Sequence, residues 1–346
     1  MTEYLIGRAL LEELTKTLQG SRKVIVIHPK ALASTAELVR QQLLDSGFTE
    51  VLQAETPDGE PAKRIEVADF CWKIMGENAF QRSDAVLAIG GGSTTDLAGF
   101  VAASWLRGIK CVYVPTTLLA MVDAAIGGKT GLNTSVGKNL VGFFKKPAAV
   151  IIDFDTLNTL PENELRSGMA EVVKYGFISD RSILEAVLAD PSLSLDPQQD
   201  RLPELIRKCV AIKDKIVETD FEESGIRRVL NYGHTLGHAI EHVERYQWRH
   251  GAAIAIGMIY AAELSATLGR LAGSAVELHY EVFDSLGLPV KYRPSKWKDL
   301  YGAMLRDKKG EGGILKFVLL DDIERPTVVT APEEQLLFAT YQTISE

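Results

Sequence analysis

Short apolar runs alternate with amphipathic segments from Lys23 to about Asp153, and this alternation limits the fold more than any other feature of the chain. Buried strands separated by helices are typical of an α/β layer with a largely parallel sheet. The sequence therefore predicts a Rossmann-like parallel sheet with helices around 31–46, 61–80 and 95–107. The predicted strands are VIVIH (24–28), VLQAE (51–55), AVLAIG (85–90), CVYVP (111–115) and AVIID (149–153).

Strand patterns become rare after Pro161, where helical periodicity takes over. Segment 251–269 is rich in small apolar residues and predicts a buried helix, and residues 314–330 predict a strand pair. A length of 346 residues is typical of two domains. We therefore expect an α/β domain over residues 1–157 and a mainly α-helical domain over residues 158–346.

The composition is that of an ordinary globular protein, with 46% apolar and 24% charged residues. No apolar run approaches the length of a membrane span, and the N-terminus lacks the basic region and cleavage site of a secretory signal. The three cysteines, Cys71, Cys111 and Cys209, are widely spaced, which suits a reducing cytoplasm. We expect a cytoplasmic protein, and the formal charge of −8 argues against nucleic-acid binding without excluding an anionic small molecule.

A glycine-rich turn follows the predicted strand 85–90. Gly90-Gly91-Gly92-Ser93 leads directly into a helical pattern. Adjacent glycines let the backbone approach a phosphate, and the start of a helix offers unpaired N–H groups. Ligands of parallel sheets bind beyond the carboxyl ends of the strands. The turn therefore predicts a phosphate-binding loop, although it lacks the GxGxxG fingerprint and a tight turn without a ligand is the alternative.

A second glycine-rich stretch, VDAAIGGKTGLNTSVGKNLVGFF (122–144), carries Asp123, Lys129, Lys138 and Asn139. Its glycines bring the backbone close to a ligand, and its lysines supply compact charges for a phosphate or carboxylate. The interleaved apolar residues argue against a merely solvated loop.

Other charged residues give weaker signals from spacing alone. Glu60 and Lys63, in PDGEPAK, are typical of a surface segment. Glu171 and Lys174 lie three residues apart on the helix that opens the second domain, which is the spacing of an ordinary surface ion pair. Lys213 lies among several other charges on a later helix.

Four of the six histidines lie within residues 227–250, RRVLNYGHTLGHAIEHVERYQWRH. Histidine is the commonest metal ligand, although each histidine alone is equally typical of a hydrogen-bonded core or surface residue. The HxxxH spacing lacks the Glu of a zincin helix, which argues against a metalloprotease. Spacing does not show which histidines bind a metal. On a continuous helix one face would carry Arg227, Asn231, His234, His238 and His242.

Eight motifs occur in a fixed order along almost the whole chain. They are PDGEPAK, GGGSTTDLAGF, VPTTLLAMVDAAIGGKTGLN, GKNLVG, LPENELRSGMAEVVKYG, GIRRVLNYGHTLGHAIE, RHGAAIAIGM and a late DKK. GGGSxxD is shared with iron- and zinc-dependent glycerol and alcohol dehydrogenases, whereas VDxxxGGKTGxN, GKN and LNxGHTxGHAIE together are specific. By these motifs the chain resembles the 3-dehydroquinate synthase family.

The resemblance implies an NAD-binding α/β domain, a helical metal-binding domain and an active site between them. The family converts 3-deoxy-D-arabino-heptulosonate 7-phosphate to 3-dehydroquinate and phosphate in the shikimate pathway, so a lyase of aromatic amino acid biosynthesis is implied, as a homodimer. The family's zinc or cobalt ligands match Glu171, His234 and His250, which leaves a coordination position open for substrate. His242 and His279 then have no assigned role.

The resemblance also implies the remaining site residues. The NAD contacts match Glu60, Lys63, Gly91, Gly92, Ser93, Asp96, Thr116, Thr117, Asp123, Lys129 and Lys138. The substrate contacts match Lys129, Asn139, Lys174, Lys213, Arg227, Asn231, His238 and Lys308 or Lys309, and Arg107 matches a residue that reaches a phosphate across a dimer interface. These cations suit a substrate that carries both a carboxylate and a phosphate. The implied reaction oxidises a ring hydroxyl, eliminates phosphate and restores the alcohol, so that NAD is recycled. The sugar ring then opens, and the enol closes a carbocycle by an intramolecular aldol addition.

The chain departs from the family pattern at three positions. Ala252 follows Gly251 where the family usually has Glu, which removes a carboxylate near the implied metal ligands. Leu236 replaces the usual Phe of GHTxGH, which is a conservative packing change. His28 ends the first predicted strand, where an acidic or amide residue often binds the ribose.

Three other functions are compatible with parts of this pattern. One is a valiolone- or inosose-forming sugar-phosphate cyclase, but Arg227, Asn231 and His238 favour a carboxylate-bearing substrate. A metal-dependent polyol dehydrogenase would leave GKN and the lysines unexplained. A non-catalytic NAD- or metabolite-binding protein is disfavoured by the implied metal ligands.

Overall fold

A computed structural model describes residues 2–307 and 314–345 of the chain. The chain divides into two units, Met1–Leu160 and Pro161–Glu346. In the first unit the elements are β1 (Glu3–Gly7), α1 (Leu11–Thr17), β2 (Lys23–Pro29), α2 (Ala33–Asp45), β3 (Glu50–Thr56), α3 (Ile65–Glu77), β4 (Ala85–Gly90), α4 (Gly92–Ser104), β5 (Lys110–Pro115), β6 (Leu132–Thr134), β7 (Gly137–Val141) and β8 (Ala149–Asp153).

Six strands of the first unit form one parallel sheet in the order β1-β8-β5-β4-β2-β3. All six residues of β4 are buried, as expected for a strand covered on both faces. The side chains of Val26, Leu87, Val112 and Ile151 belong to one apolar core. The five predicted strands and the three predicted helices are confirmed, while the edge strand β1 and the antiparallel hairpin β6–β7 were not predicted.

The direction in which strands are added to the sheet reverses between β2 and β4. From β2 the chain moves outward to β3, then crosses back to β4 on the other side of β2 and continues outward through β5. A crevice beyond the carboxyl ends of the strands at such a reversal is the usual ligand position in open α/β sheets. The two strands that flank the reversal end at Pro29, which follows His28, and at Gly90.

The second unit is mainly helical, and its described residues include an antiparallel strand pair. Helix α9 is buried along most of its length and packs against α5, α8, α10 and α12, which confirms the predicted core helix. The elements are α5 (Glu162–Ile178), α6 (Ser182–Ala189), α7 (Arg201–Thr219), α8 (His234–Val243), α9 (His250–Thr267), α10 (Gly273–Ser285), α11 (Trp297–Asp307), β9 (Lys316–Leu320), β10 (Pro326–Thr330) and α12 (Glu334–Thr343). Within the described ranges, no helix is long and apolar enough to span a membrane.

Residues 227–242 do not form the continuous helix on which Arg227 and Asn231 would share a face with the histidines. Residues Ile226–Asn231 form a 3-10 helix, and α8 begins only at His234. The break falls at Gly233, whose φ of 80° is left-handed and therefore interrupts an α-helix. Arg227 and Asn231 do not continue the face of α8.

Glycine allows α8 and α9 to approach each other closely. A Cβ atom at Gly257 would lie 1.9 Å from the carbonyl oxygen of Gly233. At the start of α9, a Cβ at Gly251 would lie 1.9 Å from the carbonyl oxygen of Ser167 on α5. These two contacts set the spacing of the three helices that carry the candidate metal ligands.

We expect Gly257→Ala to lower the free energy of unfolding by about 1–3 kcal/mol or more, because the added methyl group forces α8 away from α9. Chemical denaturation checks this value. Gly273→Ala is the matched control, since a Cβ at Gly273 meets nothing within 4 Å, and it should change stability by less than about 0.5 kcal/mol. Equal stability of the two variants would contradict the tight helix contact.

His279 is a fully buried histidine outside the candidate metal site. Its Nδ1 lies 2.7 Å from the carbonyl oxygen of Ala275 and its Nε2 lies 2.8 Å from the hydroxyl of Tyr232. Its ring stacks on Phe177 with centroids 3.6 Å apart. Burial lowers the pKa of His279 to about 3, against the opposing effect of the bond to Ala275. The ring is therefore a neutral, hydrogen-bonded core residue.

This depressed pKa predicts a specific pH dependence of stability. The pKa of His279 is near 6.5 in the unfolded chain and about 3 in the folded chain. Between these two pKa values the unfolded chain binds one more proton than the folded chain. The contribution of His279 to the free energy of unfolding is therefore complete above about pH 6.5 and declines as pH falls. In the variant His279→Gln, the slope of the free energy of unfolding against pH should be smaller by up to about 1.4 kcal/mol per pH unit between about pH 6 and about pH 5. Urea unfolding at several pH values measures the slope, with His242→Gln as an exposed control. An unchanged slope in His279→Gln would contradict the neutral buried ring.

Candidate metal and cofactor sites

Glu171, His234 and His250 lie on three helices of the second unit whose side chains converge. The ligand atoms of all three lie within 4.8 Å of one another. The Nε2 atoms of His234 and His250 are 3.5 Å and 3.3 Å from Glu171 Oε1. We call these three residues the metal-ligand cluster. The convergence arises because α8 and α9 each begin with a histidine, while Glu171 lies in the buried middle of α5.

Hydrogen bonds orient both imidazole rings toward Glu171. His234 Nδ1 lies 3.0 Å from the carbonyl oxygen of Tyr232, which only accepts, so Nδ1 carries the proton and Nε2 presents a lone pair. His250 Nδ1 lies 3.4 Å from Glu241 Oε2 on α8. Such outer partners fix the ring orientation of metal-binding histidines. Although Ala252 lacks a carboxylate, His250 therefore keeps a carboxylate partner in Glu241.

The two histidines of the cluster have opposite pKa shifts. Burial, assisted by the positive charge of Lys174, lowers the pKa of His234 to about 3. Burial also acts to lower the pKa of His250, but Glu171 and Glu241 outweigh it and raise the pKa to about 10. The imidazole ring of His234 is therefore neutral, whereas Glu171 and Glu241 favour the protonated form of His250.

The cluster fits a catalytic zinc or cobalt site. Two imidazole nitrogens and one carboxylate oxygen are a common ligand set of catalytic zinc, and three protein ligands leave a position for substrate. His238, Glu241 and His250 form a second group of the same kind within the described part of the chain. This group shares His250 with the cluster, and its His238 is exposed. The buried set is the better metal site, because Glu171 and His234 are held by surrounding structure.

Among the described residues of the second unit, three lysine and arginine side chains are buried: Lys174, Lys213 and Arg227. We call them the buried cations. Lys174 forms a salt bridge with Glu171, and the side chains are 1% and 0% exposed, so the interpretation of this pair as a surface ion pair is wrong. Helices α5 and α7 and the segment Ile226–Asn231 that carry these cations pack against one another. Buried cations in such a setting suit an anionic ligand.

The loop before Arg227 is organised by Asp220. Asp220 Oδ2 accepts the backbone N–H groups of Gly225 at 2.7 Å and Arg227 at 3.0 Å. Burial acts to raise the pKa of Asp220, but these donors outweigh it and lower the pKa. Arg227 Nη1 donates to the carbonyl oxygen of Phe221, and Asn231 Nδ2 donates to Glu223 Oε1 at 2.6 Å. Local hydrogen bonds therefore hold both predicted substrate contacts.

In the first unit the glycine-rich turn leaves no room for side chains. A Cβ at Gly90 would lie 2.5 Å from Thr94 Oγ1, and a Cβ at Gly92 would lie 2.9 Å from the Cβ of Ala124. A Cβ at Gly91 would lie 3.2 Å from a methyl carbon of Thr117. Helix α4 starts at Gly92, so its unpaired N–H groups belong to this turn. The arrangement can hold a phosphate.

Five predicted site residues form two hydrogen-bonded groups in the first unit. Lys63 Nζ donates to Asp96 Oδ2 at 2.5 Å and to Asn139 Oδ1. Lys138 Nζ lies 3.0 Å from Glu60 Oε1. We call Glu60, Lys63, Asp96, Lys138 and Asn139 the cofactor network.

The network contradicts a surface position for Lys63, which is only 3% exposed. Burial raises the pKa of Asp96 more than Lys63 lowers it. For Glu60, burial is outweighed by Lys63 and Lys138, which lower its pKa. The spacing of residues along the sequence did not reveal that Lys63 is buried, because its partners Asp96 and Asn139 lie in distant segments of the chain.

Five further predicted site residues are not members of the cofactor network. Thr116 is buried after β5, Ser93 lies in the first turn of α4, and Asp123 lies in the π-helical turn Ala120–Ala124. Lys129 is exposed, and its backbone bridges to Phe144. Arg107 lies at an exposed turn with a φ of 66°.

Lys308 and Lys309 lie outside the described residues. Asn133, Asp220 and Glu241 were not predicted as site residues. Asn133 lies in the motif GGKTGLN and Glu241 in the motif GHAIE, whereas no sequence motif indicated Asp220.

Solved structures with this fold define the class. The 2-epi-5-epi-valiolone synthase ValA from Streptomyces hygroscopicus subsp. jinggangensis 5008 is similar, with a TM-score of 0.92 and 24% identity over 99% of this chain and 96% of that one. A 2-deoxy-scyllo-inosose synthase complexed with carbaglucose-6-phosphate, NAD+ and Co2+ has a TM-score of 0.87 and 26% identity over 98% and 96%. The fold is that of the sugar-phosphate cyclases. A probable glycerol dehydrogenase from Sinorhizobium meliloti 1021 shares it at a TM-score of 0.70 and 16% identity, over 99% and 96%.

Sequence comparison identifies the family within this class. Residues 53–167 match the N-terminal and residues 168–310 the C-terminal part of 3-dehydroquinate synthase. The 3-dehydroquinate synthases of Arthrobacter sp. (strain FB24) and Rhodococcus opacus (strain B4) are 55% and 51% identical, each over 99% of this chain and 94% and 92% of the relatives. The chain belongs to the 3-dehydroquinate synthase family, a family of carbon–oxygen lyases, and the resemblance of its motifs is confirmed.

Proposed function

We propose that this chain converts 3-deoxy-D-arabino-heptulosonate 7-phosphate to 3-dehydroquinate and phosphate, with recycled NAD and a zinc or cobalt ion. The observation that carries the proposal is the presence of the buried cations in the same unit as the metal-ligand cluster, with Lys174 in direct contact with Glu171. A substrate with both a carboxylate and a phosphate matches this combination of fixed positive charges and metal ligands. The relatives with 51–55% identity carry the corresponding name.

The residues of the second unit would bind and orient the substrate. A metal ion held by the cluster would supply Lewis-acid chemistry at a substrate hydroxyl. Arg227, held by Asp220 and Phe221, presents a planar guanidinium that suits paired hydrogen bonds to a carboxylate or phosphate. Lys174 and Lys213 would stabilise negative charge on the phosphate as it leaves, because fixed charges in a buried site need no reorganisation. Asn231 and the exposed His238 are further proposed substrate contacts in this unit.

The residues of the first unit would bind the nucleotide. NAD would supply the hydride acceptor and donor. We propose that the glycine-rich turn and the start of α4 hold its pyrophosphate. We also propose that Glu60, Lys63, Asp96 and Lys138 of the cofactor network hold its nicotinamide half, while Asn139 of the same network is a proposed substrate contact. The related inosose synthase, 26% identical, was solved with NAD+ and Co2+. The position of the turn, between the end of β4 and the start of α4 at Gly92, supports this role.

We also propose a cytoplasmic homodimer. All three cysteines are free and buried, which suits a reducing compartment. Beside Arg107, the turn at Gly108 approaches Lys145, and large apolar side chains stand exposed on both segments. These exposed side chains are Leu106, Val136, Leu140, Val141, Phe143 and Phe144.

Sedimentation equilibrium tests the dimer. A mass equal to that of a single chain would contradict it.

The substrate proposal is tested by product analysis with zinc-loaded protein and NAD. Three compounds are supplied separately: the seven-carbon keto-acid phosphate, glucose 6-phosphate, and a seven-carbon sugar phosphate without a carboxylate. We expect 3-dehydroquinate, identified by mass spectrometry, from the first compound alone. A carbocycle formed from either carboxylate-free compound would instead assign the chain to a valiolone- or inosose-forming activity.

A further inference from the structure

Asn133 contacts three members of the cofactor network, although it is not itself among the residues assigned to NAD. Its Nδ2 donates to Glu60 Oε2 at 2.6 Å. Its Oδ1 accepts the backbone N–H of Asn139 at 3.1 Å. Its own backbone N–H donates to the carbonyl oxygen of Lys63 at 2.7 Å. The side chain therefore uses both ends of its amide on two different members of the network.

The two side-chain contacts require an amide at this position. The carboxylate of Glu60 only accepts, so it must face the NH2 group of Asn133, and the N–H of Asn139 must face the oxygen. A reversed amide would place oxygen against carboxylate and NH2 against N–H. Aspartate could keep only the contact to Asn139, and an apolar residue could keep neither.

Both contacts fix groups of the cofactor network. Asn139 has a φ of 54°, a left-handed conformation that asparagine adopts more readily than most residues with a side chain. This conformation directs Asn139 Oδ1 to Lys63 Nζ. On the other side, Glu60 is shared between Lys138 and Asn133, one carboxylate oxygen to each. Loss of Asn133 would release the backbone of Asn139 and one oxygen of Glu60 together.

We propose that Asn133 is a positioning residue for the nicotinamide nucleotide, which sets the orientation of Glu60 and the backbone of Asn139 before the nucleotide binds. This inference rests on the proposed NAD function of the first unit. Because a bound nucleotide uses a network that is already arranged, Asn133 contributes to affinity without touching the ligand.

The test measures NADH binding to the zinc-loaded full chain by fluorescence, together with thermal unfolding. Asn133→Asp should weaken NADH binding about 10- to 100-fold, since it replaces a hydrogen bond to a charged group with two facing carboxylates. The matched control is Thr134→Ala. Within the part of the chain that the structure describes, the Thr134 hydroxyl bonds to Gly137 and Val136 of the hairpin turn, and its loss should leave the affinity within about twofold.

A rescue variant separates positioning from a general structural role. In the double variant Asn133→Asp with Glu60→Gln, the new amide can donate to the new carboxylate, which restores the hydrogen bond with reversed polarity. We expect the double variant to bind NADH at least about tenfold more tightly than Asn133→Asp alone. A merely structural residue would lower the unfolding temperature and affinity without this rescue.

The outcomes distinguish the two proposals. If the unaltered chain binds no NADH, the cofactor proposal fails and this inference fails with it. If the unaltered chain binds NADH and Asn133→Asp binds within twofold, only the role of Asn133 is overturned. Should Asn133→Asp not fold, Asn133→Ala gives the same reading, because it removes both side-chain contacts without adding a charge.

Discussion

The variant His234→Ala is expected to lose tight metal binding and to release no measurable phosphate from the substrate. Changes to outer partners of metal-binding histidines alone reduce metal affinity about 10–100-fold, so removal of one of three ligands should weaken it by more than about 100-fold. His234 contributes a neutral ring, fixed by the carbonyl oxygen of Tyr232, that points Nε2 at Glu171. The solvent molecule that takes its place provides no such constraint.

Metal content after dialysis and competition with a chelator measure the affinity directly, independently of turnover. His242→Ala is the matched control, because His242 lies on the same helix two turns later and is exposed. It should retain metal and activity. Full metal content or full activity in His234→Ala would contradict the assignment of the cluster.

The variant Lys174→Met is expected to destabilise the metal-free chain by about 3–5 kcal/mol, because it leaves the buried carboxylate of Glu171 without its cation. Methionine keeps most of the volume of lysine, so the cost is mainly electrostatic. A bound metal ion places another positive charge beside Glu171. We therefore expect zinc to restore more stability to the variant than it adds to the unaltered chain.

Urea unfolding with and without zinc measures both effects. Lys208→Met is the matched control, since Lys208 forms a half-exposed ion pair with Asp180 at 3.5 Å, and its loss should cost less than about 1 kcal/mol. Equal destabilisation by the two variants in the metal-free state would show that the Lys174–Glu171 pair has no special role in the buried site. An impaired affinity for the sugar phosphate in zinc-loaded Lys174→Met would support its proposed contact with substrate.

The strands that form the centre of the sheet could be predicted because they are buried on both faces and therefore read as continuous apolar runs. The strand β1 was missed because its residues, Glu3–Gly7, are mixed in polarity and half-buried at the sheet edge. The hairpin β6–β7 was missed because its glycine-rich sequence resembles a ligand-binding loop. The break at Gly233 was missed because histidine spacing alone resembles a continuous helix.

Burial of charges was the least predictable part of the site. The i,i+3 spacing of Glu171 and Lys174 is the same for a surface pair and for a pair inside the protein, and only the packing of α5 distinguishes them. The metal-ligand cluster combines residues from three helices, so no local spacing could select Glu171. The family motifs supplied that selection. The geometry is compatible with it, and the roles of the individual residues stay predictions.

The measurement that tests the central claim most directly follows phosphate release and NADH absorbance in one reaction. Zinc-loaded protein is mixed with the seven-carbon keto-acid phosphate and a small amount of NAD. The proposed redox-neutral reaction predicts that released phosphate exceeds the NAD supplied many times over while no net NADH accumulates. Accumulation of NADH, or the absence of phosphate release from metal-loaded protein, would contradict it.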